Sequence, residues 1–381
     1  MGKSKLIGKG GYGCVFQPSI PCKKDLNKKS KTKKNKTQKV SKIIIKKKDK
    51  HSKKEFKMNQ IIQKLPNHTK WASTWDELCY PPEYDTMKEL SEIDVCLKKR
   101  KITEKEYREG VTMLVGEEGG IPFEKKCLEL IKKSSFRSVP EFNKVFLKIF
   151  GYLKPIFYGI LQLKKNNICH FDLSYKNIMF KNEQCYLIDF GLSCKINDKE
   201  SIYKRINKEL STSRIYIPYP YDLLYSSKNK KLMDNELESF QLGLFRDNHS
   251  DYTRVHQDIF NRNDINESLE NNLLYVQKDI KTVMLNLDTY SLGILLPVII
   301  CDIADHYKIK KQQLLKCFNS VKIQNHLSLF KDMTEYTSKN RIPIEEAYRR
   351  FNSLLPKKPT TKKQSYKAID DGVQKYLFDL E

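Results

Sequence analysis

His170-Phe171-Asp172-Leu173-Ser174-Tyr175-Lys176-Asn177, followed twelve residues after Asn177 by Asp189-Phe190-Gly191, is the stretch whose reading decides the fold. A carboxylate and a carboxamide five positions apart on a tight loop can serve one point in space. Asp172 is suited to take a proton from an incoming hydroxyl, and Asn177 to offer an oxygen to a metal. Asp189 ends the apolar run Cys185-Tyr186-Leu187-Ile188. A second carboxylate there suits Mg²⁺, a hard ion that binds mainly through one or two carboxylates plus nucleotide phosphates. A phosphotransfer site is the expectation. Either motif alone would be unremarkable in a chain rich in Lys and Asn; their order and spacing together are what carry it.

The pair resembles the H-R-D-L-x-x-x-N and D-F-G motifs of the eukaryotic-type protein kinases. That resemblance implies an α+β, bilobal protein-kinase-like fold with a small β-rich N-lobe and a larger, mainly helical C-lobe. The N-lobe would span residues 1–115 with a lysine-rich insertion near 23–39, and the C-lobe 116–381 with an insertion near 226–281. The implied cofactors are ATP and Mg²⁺, and the implied partner is a protein substrate.

Upstream, Leu6-Ile7-Gly8-Lys9-Gly10-Gly11-Tyr12-Gly13-Cys14-Val15-Phe16 carries a G-x-G-x-x-G-x-V between apolar residues. It reads as strand, hairpin turn and return strand, with Gly8, Gly10, Gly11 and Gly13 letting backbone N–H groups approach phosphates. A dinucleotide fingerprint would need a helix after the glycines, and Pro18 and Pro21 stand there instead. By resemblance, Val15 lies over the adenine. Residues 23–39 hold nine lysines in seventeen positions among Asn, Ser and Thr, a composition that cannot offset the entropy of ordering. They are expected to form a solvated loop, with a docking or localisation element as the alternative.

Val40-Ser41-Lys42-Ile43-Ile44-Ile45 is a β-branched strand candidate that resembles the V-A-I-K strand. Lys42 is preferred over Lys39, Lys46, Lys47 and Lys48 as the phosphate-pairing lysine because apolar residues flank it. The following helix places Glu55, Met58 and Ile62 on one face. Glu55 is then the partner of Lys42, or else an exposed glutamate pairing with lysines along its helix. Residues 66–110 suggest only a packed irregular segment. Val111-Thr112-Met113-Leu114-Val115 reads as a buried strand ending at Gly116-Glu117-Glu118-Gly119-Gly120. It resembles the link between kinase lobes, with Leu114 as gatekeeper, backbone from Val115 to Glu117 at the adenine edge, and a Gly-Gly giving room for rotation.

Apolar residues recur at helical spacing from Phe142 to Asn166, with Gly151 and Pro155 dissenting, and predict one long helix leading into the loop. Ile178-Met179-Phe180 and Tyr186-Leu187-Ile188 predict a short strand pair, with Met179 as the floor under adenine. The resemblance extends to Tyr219-Pro220-Tyr221-Asp222, a degenerate A-P-E. It also covers Asp288-Thr289-Tyr290-Ser291-Leu292-Gly293, like the D-x-W-S-x-G helix that supports the catalytic loop, and Arg341-Ile342-Pro343-Ile344-Glu345-Glu346-Ala347 of the last subdomain. Asp222 and Arg341 are expected to meet in space. The alternative is a surface arginine.

Two departures from the family stand out. Phe171 occupies the place of the arginine that grips a phosphorylated activation loop. Ser174 replaces the lysine two after the catalytic Asp, and Lys176, four after it, stands where tyrosine kinases often carry Arg. Lys176 is therefore expected to serve the γ-phosphate, and the acceptor type, Ser/Thr or Tyr, stays open. Gly-Cys-Val-Phe, Cys22, the V-S-K strand and H-F-D together are similar to serine/threonine kinases of large cytoplasmic DNA viruses.

Composition bounds the remainder. The formal charge is +25, but only 11 of the 71 basic residues are Arg, the side chain whose planar fork matches phosphate. Lys, Asn and Ile are abundant together, as an AT-rich coding sequence produces, so nucleic-acid contact is allowed but not favoured. No run reaches about 18 apolar residues, the minimum for a bilayer span; the longest, Leu292 to Ile300, contains Pro297. Met1 to Leu6 has no apolar leader, and Leu6 stands where a myristoylation signal needs Ser or Thr. A cytoplasmic location follows as the expectation, in a host cell or a virion if the source is viral. Ten cysteines without a C-x-x-C pair predict neither zinc site nor disulfide framework.

Overall fold

The computed structural model describes residues 3–10, 13–26, 39–45, 50–101, 103–108, 110–210, 220, 222–223, 254–262 and 280–356. Gly11, Tyr219, Tyr221, most of the lysine-rich stretch and most of the 226–281 insertion lie outside them. The fold is α+β. Its largest sheet is antiparallel, with β1 (Lys5–Gly10), β2 (Gly13–Gln17), β3 (Lys39–Ile45), β4 (Trp75–Cys79) and β5 (Val111–Glu117) in the order β1-β2-β3-β5-β4. The β-branched run of β3 makes it fit for a central position, and its register sets Lys42 opposite both Val15 and Leu114. Gly13 has a steric task of its own there. A Cβ on it would lie 1.8 Å from the Ile43 carbonyl oxygen, so only glycine lets β2 close on β3 at that point.

Helix α1 (Lys50–Ile62) follows β3 and buries Glu55, Met58 and Ile62, as its spacing predicts. Residues 66–110, illegible as sequence, supply β4 and three short helices, α2 (Tyr84–Leu90), α3 (Ile93–Arg100) and α4 (Glu104–Arg108). They share an apolar cluster with the sheet, built on Phe16, Ile43, Met87, Ile93 and Met113. Two disulfides cross that cluster, Cys14–Cys96 and Cys22–Cys79, and overturn the expectation drawn from the cysteine spacing. The partners are 82 and 57 residues apart in sequence, which no short motif can reveal. Cross-links closing loops this long remove chain entropy from the unfolded state worth about 4 kcal/mol each. The cysteines therefore give no argument for a reducing compartment.

The remaining elements are mostly helical. A two-residue strand β6 (Ile121–Pro122) joins β8 (Ile178–Lys181) and β9 (Gln184–Leu187), and β7 (Ile168–Cys169) pairs with β10 (Cys194–Lys195). Around them stand α5 (Phe123–Leu130), α6 (Val139–Tyr152), α7 (Lys154–Lys165), α8 (Lys199–Leu210), α9 (Ile280–His306), α10 (Lys311–Phe318), α11 (Gln324–Met333) and α12 (Ile344–Leu354). The single helix predicted from 142 to 166 is two. Pro155, with no N–H to donate, sits in the first turn of α7, and the chain breaks at Leu153.

Helix α9 runs through the interior, with 21 of its 27 residues buried. Among the described residues it is one helix long and apolar enough to cross a membrane, with 94% of its most apolar window buried inside the protein. Polar residues such as Asn286, Asp288 and Asp302 are scattered along the helix, so it contains no unbroken apolar run of that length. Gly293 lets α11 approach it, since a Cβ would come within 2.7 Å of Met333 Cβ.

The short segment Arg254–Ile259, inside the predicted insertion, is tied to these helices. Arg254 makes a bidentate pair with Asp305 at 2.7 Å, and Arg262 donates to the carbonyls of Lys331 and Thr334, also at 2.7 Å. His256 lies fully buried between them, 3.1 Å from the Tyr290 hydroxyl, facing Arg262 and the Tyr336 ring. Burial, and then the Arg262 charge, hold its pKa well below the usual 6.5. The unfolded chain therefore binds a proton that the folded one refuses, and stability is lost as pH falls below about 6.5. Thermal melts between pH 7.5 and 5 should show that decline, and His256→Gln should flatten it.

Candidate functional site

The loop between β7 and β8 is held from beneath by one buried carboxylate. Asp288, on α9, accepts the backbone N–H groups of His170 at 2.6 Å and Phe171 at 3.1 Å, and the Cys169 thiol at 3.4 Å. Burial still pushes its carboxyl above the ordinary aspartate range. The fixed N–H groups stabilise Phe171 at φ 63°, a left-handed conformation that a bulky residue adopts only when its surroundings impose it. The Phe171 ring, 1% exposed, goes into the apolar core. His170 Nε2 lies 3.1 Å from the Ile188 carbonyl, and Ser193 Oγ donates to the His170 carbonyl at 3.1 Å, which couples this loop to the segment after β9.

On that loop the Asn177 amide donates to the Asp172 carbonyl at 2.7 Å and to Asp172 Oδ2 at 3.1 Å. Both bonds use Nδ2, so the carbonyl oxygen is the atom suited to a metal. Ile188 N–H donates to the Asn177 backbone carbonyl at 3.0 Å, and brings Asp189 alongside. Asp189 is itself left-handed, φ 60°, and its Oδ1 accepts the Gly191 N–H at 3.4 Å.

From the opposite side comes β3. Lys42 Nζ is 2.8 Å from Glu55 Oε1 and 3.2 Å from Asp189 Oδ1. Lysine and glutamate are 6% and 4% exposed, so neither is a solvated surface charge. Burial works against the ammonium, but the Asp189 and Glu55 carboxylates outweigh it and raise the Lys42 pKa. Lys39, the nearest rival, instead meets Asp76 at the surface, 3.3 Å away. Register in β3, which alternates faces, decides between the two.

The other sequence-predicted residues divide. Gly8, Gly10 and Gly13 flank the β1–β2 turn, while Gly11 falls outside the described residues. Val15 is the cross-strand neighbour of Gly8 and Lys42, and Leu114, fully buried, is the other neighbour of Lys42. Glu117 ends β5 in solvent. Met179 on β8 packs at Gly119, where a Cβ would stand 3.1 Å from its Cγ. Gly120, at φ 90°, has a tighter constraint, since its Cβ would meet the Phe180 carbonyl oxygen at 2.2 Å. The Gly-Gly pair thus allows a close approach to β8. Lys176 is exposed, its ammonium 5.9 Å from the centre of the Tyr175 ring.

One contributor escaped sequence reasoning. Trp75, the first residue of β4, donates its indole N–H to Glu55 Oε1 at 3.0 Å. No local pattern marks a tryptophan in an unassigned segment as a partner of a glutamate twenty residues earlier. Asp222, expected to pair with Arg341, does so. Arg341 Nη2 lies 3.4 Å from both carboxylate oxygens, with side-chain exposures of 0% and 1%. The contact is direct, so the shorter aspartate requires no bridging water.

The donor set around the loop, one carboxamide oxygen and one carboxylate, is hard oxygen throughout and fits Mg²⁺ better than a soft metal. No protein-family model matches the chain, and no curated protein matches it.

Proposed function

We propose that this chain is a bilobal, protein-kinase-like phosphotransferase that moves the γ-phosphoryl group of ATP to serine or threonine of a protein substrate. The main support is the Lys42 ammonium, which bridges Glu55, 13 residues away in sequence, and Asp189, 147 residues away. A buried lysine between two carboxylates, one on a helix and one beside a proton-accepting loop, suits the cradling of nucleotide phosphates. It has little to recommend it as a purely structural device, because removing the Lys42 and Glu55 charges from water is costly.

In this reading Lys42 holds the α- and β-phosphates, and the backbone of the β1–β2 turn covers them. Asp172, steadied by Asn177, orients the acceptor hydroxyl and takes its proton. Asn177 and Asp189 would hold Mg²⁺, which when bound offsets phosphate charge. Catalysis is positioning and charge neutralisation, without a covalent enzyme intermediate. The five-stranded antiparallel sheet and the buried Asp288 and Asp222–Arg341 contacts support the same reading. Incubation with radiolabelled ATP, Mg²⁺ and a mixed protein substrate, followed by phosphoamino-acid analysis, tests it. Labelled phosphoserine or phosphothreonine is expected. Phosphotyrosine would move the acceptor class, and no transfer under any condition would leave a kinase-like scaffold.

Phe171 leads to a further expectation. An apolar ring buried in the core cannot grip a phosphorylated segment, so activity should survive phosphatase treatment. A large loss on dephosphorylation, traced by mass spectrometry to Ser201, Ser211, Thr212 or Ser213, would defeat this. The last three lie outside the described residues.

A further inference from the structure

We infer that Trp75 is a positioning residue for the Lys42–Glu55 pair, its indole N–H fastening helix α1 to β4 at the oxygen that faces the lysine. The inference rests on the phosphotransfer reading for its consequence, though not for its geometry. Glu55 Oε1 receives two donors, Lys42 Nζ at 2.8 Å and Trp75 Nε1 at 3.0 Å. The second donor carries no charge, so it fixes the carboxylate without competing for it electrostatically. Glu55 Oε2 is confined as well: a Cβ on Gly191 would lie 3.1 Å from it.

The contact is the first level of a ladder. Four residues along, Asn59 Oδ1 accepts the Trp75 backbone N–H at 3.0 Å, while its Nδ2 donates back to the Glu55 carbonyl at 2.8 Å. Four further on, Gln63 Nε2 donates to Thr74 Oγ1 at 3.1 Å and to the Trp75 carbonyl at 3.2 Å. Residues spaced by four lie on one face of a helix. One polar stripe of α1, continued just past its end, is therefore bound to Thr74 and Trp75 at three heights.

The opposing strand makes room for this. Trp75 stands across from Gly116 in the β4–β5 register, and a Cβ on Gly116 would come within 3.1 Å of the indole and 2.9 Å of the Thr74 carbonyl oxygen. A helix could be held against a sheet by apolar contacts alone. Here the tie acts on the atom that positions the lysine, which is what makes it a matter of reactivity rather than only of packing. It also holds Glu55 in place by contacts within the first 75 residues.

Two readouts on Trp75→Phe test the inference. The first is acetic anhydride labelling of Lys42, read by mass spectrometry against exposed Lys54 on helix α1. In the native chain Lys42 should be protected, and W75F should raise its relative labelling several-fold. The second is kinetic: loss of a hydrogen bond to a charged group predicts a fall in kcat of about tenfold, with KM for ATP changed by less than about twofold. Because Trp75 acts through Glu55, the same substitution in a Glu55→Gln background should cost less than about twofold. Unchanged Lys42 labelling in W75F, or an equal loss in both backgrounds, overturns the inference. If the native chain transfers no phosphate, the proposed function fails while the labelling still decides the latch. If W75F does not fold, Asn59→Ala removes the two bonds that seat the Trp75 backbone N–H and the Glu55 carbonyl against each other. It should then raise Lys42 labelling in the same direction, and no change would overturn the inference.

Discussion

Asp172→Asn should leave the protein folded, with its melting temperature within a degree or two of the native chain, and reduce phosphotransfer by about 10²- to 10⁴-fold, the usual contribution of a positioned general base. The substitution is nearly isosteric. Asn177 Nδ2 keeps the Asp172 backbone carbonyl, and can keep the side-chain oxygen, as acceptors, so the loop need not move. Only the capacity to take a proton and the negative charge are lost. A variant with near-native activity would show that Asp172 is not the base. Lys42→Ala should lower activity by a similar order, and with a different signature. It removes the cation from beside a buried Glu55, so it should also lower the melting temperature. Lys39→Ala makes the control for strand register: its partner Asp76 is at the surface, and an exposed pair is worth roughly 0–1 kcal/mol. Should Lys39 prove the sensitive residue, the assignment of Lys42 is wrong.

How far the sequence could be read follows from where each signal resides. Strand β3 and helix α1 were legible because each carries its own periodicity: β-branched residues in the one, and Glu55, Met58 and Ile62 on a single face in the other. The loop motifs were legible because the chemistry needs particular residue types at fixed spacing. What escaped notice is what depends on distant partners. Helices α2, α3 and α4 have between five and eight residues, too short for a 3.6-residue period to stand out. The disulfides join Cys14 and Cys22, near the start of the chain, to Cys96 and Cys79 of the 66–110 segment, 82 and 57 residues away. Trp75 gains its meaning only when the sheet turns it toward Glu55. The break at Leu153 was visible, because Gly151 and Pro155 announce it, but the apolar periodicity on either side outweighed them.

The Arg341→Ala variant should be the more costly to stability, by about 3–5 kcal/mol, because it removes one partner of a fully buried ion pair. Asp222, at the end of the segment that follows the site, would keep the Ser338 N–H, 2.5 Å away, as a donor but lose its cation. Burial already pushes the Asp222 carboxyl above its ordinary range despite the arginine, so the variant should take up a proton there. The loss would then be smaller at acid pH than at neutral pH. Arg341 does more than balance charge. Its guanidinium also donates to the carbonyls of Glu335 at 2.8 Å and Asn286 at 3.3 Å, and it stacks 5.0 Å from the Tyr290 ring centre. Asn286 lies two residues from Asp288, the carboxylate under the loop that carries Asp172. A single side chain thus joins the segment after the site, the turn before α12 and the helix that supports the loop. Arg341→Lys is the informative companion, since lysine restores the charge without the planar fork that reaches several carbonyls. If charge alone matters, Lys recovers most of the lost stability. If the fork matters, R341K stays closer to R341A in thermal denaturation, and phosphotransfer falls with it. A melting temperature unchanged in R341A would mean that the buried pair contributes nothing to the fold, and would remove the ground for assigning Asp222 as the closing residue of the segment.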